Sequence, residues 1–159
     1  MSFVPSGQPG ISPTPALANI GFYPAISPNV FRQQLNVDST VDEQQVESVL
    51  QLSMLEVNQE LAAWQTAQEA LGTTQLSDTT SVTYGTGAAA TNKNVQLYTF
   101  AVQHLAKARV LERMRNFDST ASGINKTSEM DTPIGDYRRE ARRCVRAIMG
   151  QTGTVVELI

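Results

Sequence analysis

The chain has 159 residues, of which 41% are hydrophobic and 17% charged, and its formal net charge is −3. This length suits a single domain with one core, and the negative charge argues against a protein that binds polyanions over its whole surface. No run reaches the roughly 18 apolar residues that a membrane span needs, so no membrane contact is expected.

The first 21 residues are rich in proline and glycine, which disfavour a helix and bury little surface. They predict an extended N-terminal arm over residues 1–21. Two interpretations remain open: a free terminus, and an arm that becomes ordered on a partner. A helical domain is then expected over residues 22–150.

Ser27 and Pro28 predict the start of a first helix over residues 28–35, because serine is a good N-cap and proline suits the first helical position. Thr40 and Glu43 have the spacing of a capping box, which predicts the start of a second helix.

The second helix is predicted over residues 41–71 and ends before Gly72, which suits the position after a helix C-cap. Its apolar residues recur every three or four positions and form one broad stripe: Val46, Val49, Leu50, Met54, Val57, Leu61 and Trp64. At 1.5 Å per residue this helix is about 45 Å long, which favours an elongated bundle.

Residues 73–91 are rich in threonine, serine, glycine and alanine and predict a flexible loop, in which Thr83-Tyr84-Gly85 could begin a short hairpin. Asn92 is the expected N-cap of a third helix over residues 93–117. Its apolar positions cover more than half of its circumference, so we expect this helix to be packed on two sides.

A second loop is predicted over residues 118–131, and Pro133 is expected near the start of a fourth helix that Gly150 ends. The fold class is therefore all-α: an elongated bundle of about four helices between an extended arm and an extended C-terminal tail over residues 151–159.

The fourth helix carries five arginines within nine positions, and at 100° per residue they share an arc of roughly 140° opposite the apolar residues. We call this set the arginine face: Arg138, Arg139, Arg142, Arg143 and Arg146. It could be solvated, it could pair with carboxylates, or it could bind phosphates, since arginine suits both anions.

The charges divide along the chain: residues 41–71 hold six acidic residues and no basic one, whereas ten of the twelve basic residues lie between Lys107 and Arg146. This division favours protein–protein contact over DNA binding, which normally accompanies a positive excess. Within a monomer this division can pair helices; between copies, the arginine face of one subunit can meet acidic residues of the next in a ring, with Glu56 and Glu60 as candidates.

Catalysis finds little support in the sequence. His104 is the only histidine and Cys144 the only cysteine, so neither a zinc site nor a supported Cys-His pair can be assembled. We expect His104 to be a packed helix residue and Cys144 an inert thiol in the core. No enzyme, metal site or cofactor is expected.

Over residues 20–159 the chain resembles the head completion/stabilisation family of tailed phages with contractile tails, the L protein of the capsid-completion set. The resemblance rests on the order and spacing of short motifs. They are Gly21-Phe22-Tyr23-Pro24, Phe31-Arg32, Glu56-Val57-Asn58, Glu60-Leu61, Trp64, Leu97-Tyr98, Ala101-Val102, Leu105-Ala106-Lys107-Ala108, Leu111-Glu112-Arg113, Phe117-Asp118-Ser119-Thr120, Asp136-Tyr137-Arg138-Arg139-Glu140-Ala141-Arg142 and Glu157-Leu158-Ile159. The Pro-rich arm and the loop over residues 73–91 depart from the family pattern.

The resemblance implies a structural virion protein, an all-α adaptor that joins the portal vertex after DNA packaging. It implies a ring, twelve-fold, that connects the head to the neck and the next tailward protein. The expected location is the neck of the virion, and the host cytoplasm during assembly. The alternative is a DNA-binding packaging accessory that uses the arginine face.

The last six residues are strand-prone and largely apolar, which predicts that something covers them. They could fold back on their own bundle or dock on another chain. The resemblance makes the portal protein the expected acceptor of the docking residues: Val155, Val156, Glu157, Leu158 and Ile159.

Overall fold

The computed structural model describes residues 14–87, 90–118 and 125–151, with side chains in the last two ranges only for 90–115 and 133–151. Most of these residues lie in four helices: α1 (Pro28–Gln34), α2 (Glu43–Ala70), α3 (Lys93–Asp118) and α4 (Asn125–Ile148). Between α2 and α3 lie a 3-10 helix (Leu76–Asp78) and an antiparallel pair of two-residue strands, β1 (Thr83–Tyr84) and β2 (Thr91–Asn92). The predicted helical class is confirmed.

Helix α3 is the central element, since both α2 and α4 pack against it. Its buried apolar residues point to both neighbours, as the sequence predicted: Tyr98, Ala101, Val102, Leu105, Ala106, Ala108 and Val110. The apolar stripe of α2 is buried against them and forms one continuous core with Phe22, Ile26 and Phe31. With 28 residues, α2 is about 42 Å long, so the bundle is elongated.

The predicted capping box at the start of α2 is wrong. The N-cap is Asp42, whose side chain accepts a hydrogen bond from the backbone N–H of Gln44. The backbone N–H of Thr40 instead donates to Asp38 Oδ1 within the preceding turn, a bond that lowers the pKa of Asp38. Glu43 is free to accept from Arg32 Nη2 at 3.2 Å, and this ion pair joins α1 to α2.

The other predicted caps are confirmed. Ser27 accepts from the backbone N–H of Val30 at the start of α1, and Asn92 Oδ1 accepts from the backbone N–H of Asn94 at the start of α3. Gly72 and Gly150 have φ values of +89° and +71° at the ends of α2 and α4. Glycine adopts this left-handed conformation without steric cost, which explains why both helices end there.

The loop over residues 73–91 has more structure than its composition indicates. Leu76 is buried, and its backbone N–H donates to the carbonyl of Phe22 at 2.8 Å. The side-chain amide of Asn92 donates to the carbonyls of Ser77 and Thr79. The predicted hairpin exists as the pair β1–β2.

Helix α4 begins at Asn125, six residues before the predicted restart at Asp131, so Pro133 lies inside the helix and not in its first turn. The predicted second loop over residues 118–131 is therefore shorter than expected. A proline inside a helix removes one backbone N–H donor, which lowers the stability of the helix. The sequence prediction therefore placed Pro133 near the start of α4. Of the predicted C-terminal tail, residues 152–159 lie outside the described residues.

Residues 14–20 of the predicted arm lie along α2. Thr14 Oγ1 donates to Glu43 Oε1 at 2.7 Å, and Leu17 exchanges two backbone hydrogen bonds with Ile26. At the other end, Asn58 Nδ2 donates to Asn19 Oδ1 at 2.9 Å. This part of the arm is thus fixed to the bundle from the start of α2 to its middle.

Three polar side chains from distant parts of the chain close a ring of hydrogen bonds at this point. Asn19 Nδ2 donates to the Tyr98 hydroxyl at 2.7 Å, which donates to Asn58 Oδ1 at 2.5 Å. The Tyr23 ring stacks on the Tyr98 ring, with centroids 4.6 Å apart. Burial raises the pKa of Tyr98 to about 12.

The described part of the chain contains no helix with the length and apolar character of a membrane span.

Candidate interaction surface

The arginine face lies on the side of α4 that points away from the core. Ile134, Ala141, Val145 and Ile148 of the same helix are buried, so the helix is amphipathic as predicted. A shallow surface depression of about 540 Å³ is lined by Gly135 and all five arginines. Gly135 has open space above its Cα, so the guanidinium groups border a depression that a small anionic group can enter.

Three of the five arginines are paired with carboxylates of the same chain. Arg138 binds Glu112 of α3 through Nε and Nη2 at 3.0 and 2.7 Å. Within α4, Arg139 pairs with Asp136 and Arg143 with Glu140, both at i, i+3 spacing. These pairs neutralise most of the charge that the sequence concentrates on the face.

The remaining two, Arg142 and Arg146, are exposed and form no ion pair with any described residue. Five arginines less three carboxylate partners leave two positive charges on the face. A guanidinium presents a planar fork of donors that fits either a carboxylate or a phosphate. Arg142 and Arg146 are therefore the members of the face that are available to another molecule.

The predicted acidic partners lie close to the arginine face. Glu56, Glu60, Arg138 and Arg142 line one narrow groove of about 70 Å³, whose apolar lining comes from α2, α3 and α4. Glu56 pairs with Arg109 of α3, which also donates to Ser53 Oγ at 2.7 Å. Glu60 is exposed and forms no ion pair within the described part of the chain.

Sequence reasoning placed the acidic and basic residues on separate flanks, whereas the fold brings part of each set to one groove. The reason is that α4 lies across α3 close to the middle of α2, near Val57. Glu60 and Arg142 of one copy thus offer opposite charges next to each other. The docking residues predicted in the tail, from Val155 to Ile159, lie outside the described residues.

His104 and Cys144, the two residues considered for catalysis, make contacts typical of residues with a structural role. His104 Nδ1 lies 2.7 Å from the carbonyl of Phe100, and its ring contacts the rings of Phe100 and Tyr137. Cys144 is half-buried against the core, and burial together with Glu140 raises the pKa of its thiol. The packing predicted for His104 agrees with the structure, whereas Cys144 lies at the edge of the core and not within it. No cluster of three metal-ligating side chains occurs among the described residues.

Sequence reasoning missed a second surface, on the opposite edge of α2. An apolar groove of about 380 Å³ runs between the arm and α2, and its lining is Ala18, Asn19, Ile20, Gln51, Met54, Leu55 and Asn58. Ile20 is 51% exposed and Leu55 66%. The sequence signal for this surface was the position of Leu52 and Leu55 outside the apolar stripe of α2. A large apolar residue at such a position faces away from the core.

The sequence of this chain matches a known protein family and a known protein. Residues 17–159 match the family of the phage head completion protein (GPL). The head completion/stabilization protein of Escherichia phage P2 is 28% identical over 145 residues, which cover 91% of this chain and 83% of the relative. No solved structure matches. Since the family match spans the whole helical domain, the chain belongs to the phage head completion protein family.

Proposed function

We propose that this protein completes the phage head by binding the portal vertex after DNA packaging. Identical copies form a ring, of twelve subunits, that connects the head to the neck and receives the next tailward protein. The observation that carries the proposal is the family match over residues 17–159. The match supports a structural component of the virion, and we propose that this component acts at the neck after a period in the host cytoplasm during assembly.

The described surface supports a contact between copies. Arg142 and Arg146 carry charges that their own chain does not neutralise, and Glu60 is an exposed carboxylate without an ion pair in the described residues. In the ring, the arginine face of one copy meets Glu60 of the next copy, with Glu56 beside it. Glu56 is the less available of the two because Arg109 already binds it.

Such a contact is weak in isolation, because exposed ion pairs contribute only about 0–1 kcal/mol each. The free protein is therefore monomeric or weakly associated, and the ring forms on the portal. Sedimentation of the purified protein at low micromolar concentration checks this, and a stable dodecamer at ordinary salt would contradict it.

The test of the interface is charge reversal in phage. Arg142→Glu blocks incorporation into particles while leaving the helical content unchanged, because Arg142 is exposed. Arg113→Glu, on the exposed side of α3, is the matched control and leaves incorporation intact. Arg142→Glu protein supplied together with Glu60→Lys protein is partly incorporated if the two residues meet across subunits, because neither chain then carries both changes. Normal incorporation of Arg142→Glu would refute the interface.

The location has its own test. An image reconstruction of particles should show density for this protein between the portal and the next neck component. Density elsewhere in the particle, or its absence from complete particles, would refute the proposed function whatever the interface residues are.

A DNA-binding accessory is the second candidate, because five arginines border one depression that can accept a phosphate. Phosphate contacts release counterions, so the affinity for duplex DNA would fall steeply as salt rises. A salt series with purified protein measures this slope. A steep slope that Arg142→Glu reduces would favour DNA binding, whereas a ring between copies requires no such slope.

A further inference from the structure

The apolar groove beside the arm has the features of an occupied surface. Its exposed large side chains, Ile20 and Leu55, lie side by side, and Leu52 is 46% exposed one turn before Leu55. The positions that share this side of α2 are uncharged, namely Ser48, Leu52, Leu55, Gln59 and Ala62, and the nearest exposed carboxylate, Glu56, is paired with Arg109. An apolar patch without charges on a helical surface is typical of an interaction site.

The groove has the size for a short peptide. Its volume of about 380 Å³ lies within the roughly 300–1,000 Å³ of pockets that bind small ligands. Its lining includes the amide side chains of Gln51 and Asn58 but no charged side chain. The expected occupant is therefore an uncharged segment with one or two apolar side chains.

The first 13 residues of the chain fit this description. They contain no charged side chain and carry four large apolar residues that can enter the groove, Met1, Phe3, Val4 and Ile11. Pro5, Pro9 and Pro13 favour an extended backbone, which loses little conformational entropy on binding. The C-terminal tail fits less well, because Glu157 lies between its apolar residues.

The direction of residues 14–20 decides which groove the preceding residues can reach. Thr14 is bonded to Glu43 at the first turn of α2, and Asn19 to Asn58. Residues 14–20 thus run along α2 in its own direction, and the chain before Thr14 leaves at the N-terminal end of the helix. The groove at Leu55 lies twelve residues further along α2, about 18 Å from that end.

Phe3 precedes Thr14 by eleven residues, an extended length of about 34 Å at 3.1 Å per residue. This length is sufficient to reach a neighbouring subunit, whereas reaching its own groove requires the proline-rich segment to reverse. We propose that residues 1–13 of one copy lie in the groove of the adjacent copy, with Phe3 against Leu55. The proposal rests on the proposed ring and names a second contact within it.

The test is disulfide cross-linking in assembled particles. The variant carrying Phe3→Cys and Leu55→Cys should give covalent dimers and higher multiples on non-reducing electrophoresis. The matched control carries Phe3→Cys and Leu71→Cys. Leu71 is also an exposed leucine, at the far end of α2, about 24 Å from Leu55 at 1.5 Å per residue, and we expect no ladder from it. The native Cys144 is present in both variants.

Each outcome has one interpretation. A ladder from the Leu55 variant alone supports the proposal. A cross-link confined to single chains means that the arm occupies the groove of its own chain. No cross-link in particles that contain the protein means that the groove has another occupant. Either result overturns the proposal. Particles that lack the wild-type protein would instead refute the proposed function, and the proposal with it.

A second measurement does not depend on disulfide chemistry. Leu55→Glu should reduce incorporation into particles about tenfold or more, because a carboxylate would be buried without a partner. The melting temperature of the free protein should not change, because Leu55 is exposed in the monomer. Leu71→Glu is the control and should incorporate normally. Equal incorporation of the two variants would also overturn the proposal.

Discussion

The ring of hydrogen bonds among Asn19, Asn58 and Tyr98 allows a controlled test of what fixes the arm to the bundle. Tyr98→Phe removes the hydroxyl that donates to Asn58 Oδ1 and accepts from Asn19 Nδ2. Asn19 keeps its bond to the carbonyl of Pro24 at 3.1 Å, but Asn58 Oδ1 loses the one donor that the described contacts provide. Because Asn58 is only partly buried, the cost should lie at the lower end of the range for an unpaired buried polar atom, about 1 kcal/mol.

For a chain of this length each kcal/mol lowers the melting temperature by roughly 2–4 °C, so Tyr98→Phe should lower it by about 2–4 °C. Tyr23→Phe is the matched control. Its ring stacks on that of Tyr98, yet its hydroxyl is buried without a hydrogen-bond partner in the described structure. Removing an unpaired hydroxyl should leave the melting temperature unchanged or raise it. Thermal unfolding followed by circular dichroism measures both, and equal destabilisation by the two variants would refute the reasoning.

Three further predictions follow from the described contacts and the tail. Burial raises the pKa of Tyr98 to about 12, whereas tyrosine in the unfolded chain has a pKa near 10. The neutral phenol therefore contributes to stability fully below pH 10, and this contribution is lost between about pH 10 and 12. Unfolding measured against pH should show a smaller decline for Tyr98→Phe than for the wild type in this range, and parallel curves would contradict the prediction. Asn92→Ala should lower the free energy of unfolding, measured with denaturant, by about 1–2 kcal/mol, because it removes the cap of α3 and the donor to the carbonyls of Ser77 and Thr79. A smaller loss would mean that water replaces the side-chain amide. Deleting residues 154–159 should leave the melting temperature nearly unchanged but abolish binding to purified portal, and a lower melting temperature with portal binding retained would show that the tail folds on its own bundle.

Local patterns in the sequence were sufficient for the helix ends that depend on one residue. Ser27, Gly72 and Gly150 act through their own backbone conformation or side chain, so their neighbours in sequence determine their role. The two-sided packing of α3 was predictable because its apolar positions exceed one face.

The errors occurred where distant residues compete. Thr40 has the spacing of a capping box with Glu43, but Arg32 and Thr14 bind that carboxylate from elsewhere in the chain, and Asp42 caps the helix. Pro133 was interpreted by its preference for a first turn, yet α4 begins earlier and includes it. The Asn19–Asn58–Tyr98 ring joins residues 39 to 79 positions apart, so no local pattern could indicate it.

The same limit applies to the arginine face. Its five residues were evident from helical periodicity, but their division into paired and available members depends on Glu112 of α3 and on rotamers within α4. That division matters for assembly. A face with five unpaired arginines would attract any polyanion in the cell, whereas two unpaired arginines give a weak contact. In the ring that we propose, such a contact would become effective only when the portal holds neighbouring copies at high local concentration, since linking weak contacts multiplies their effect. The internal pairing of Arg138, Arg139 and Arg143 thus fits the proposal of a protein that stays monomeric in solution and forms its ring on the portal.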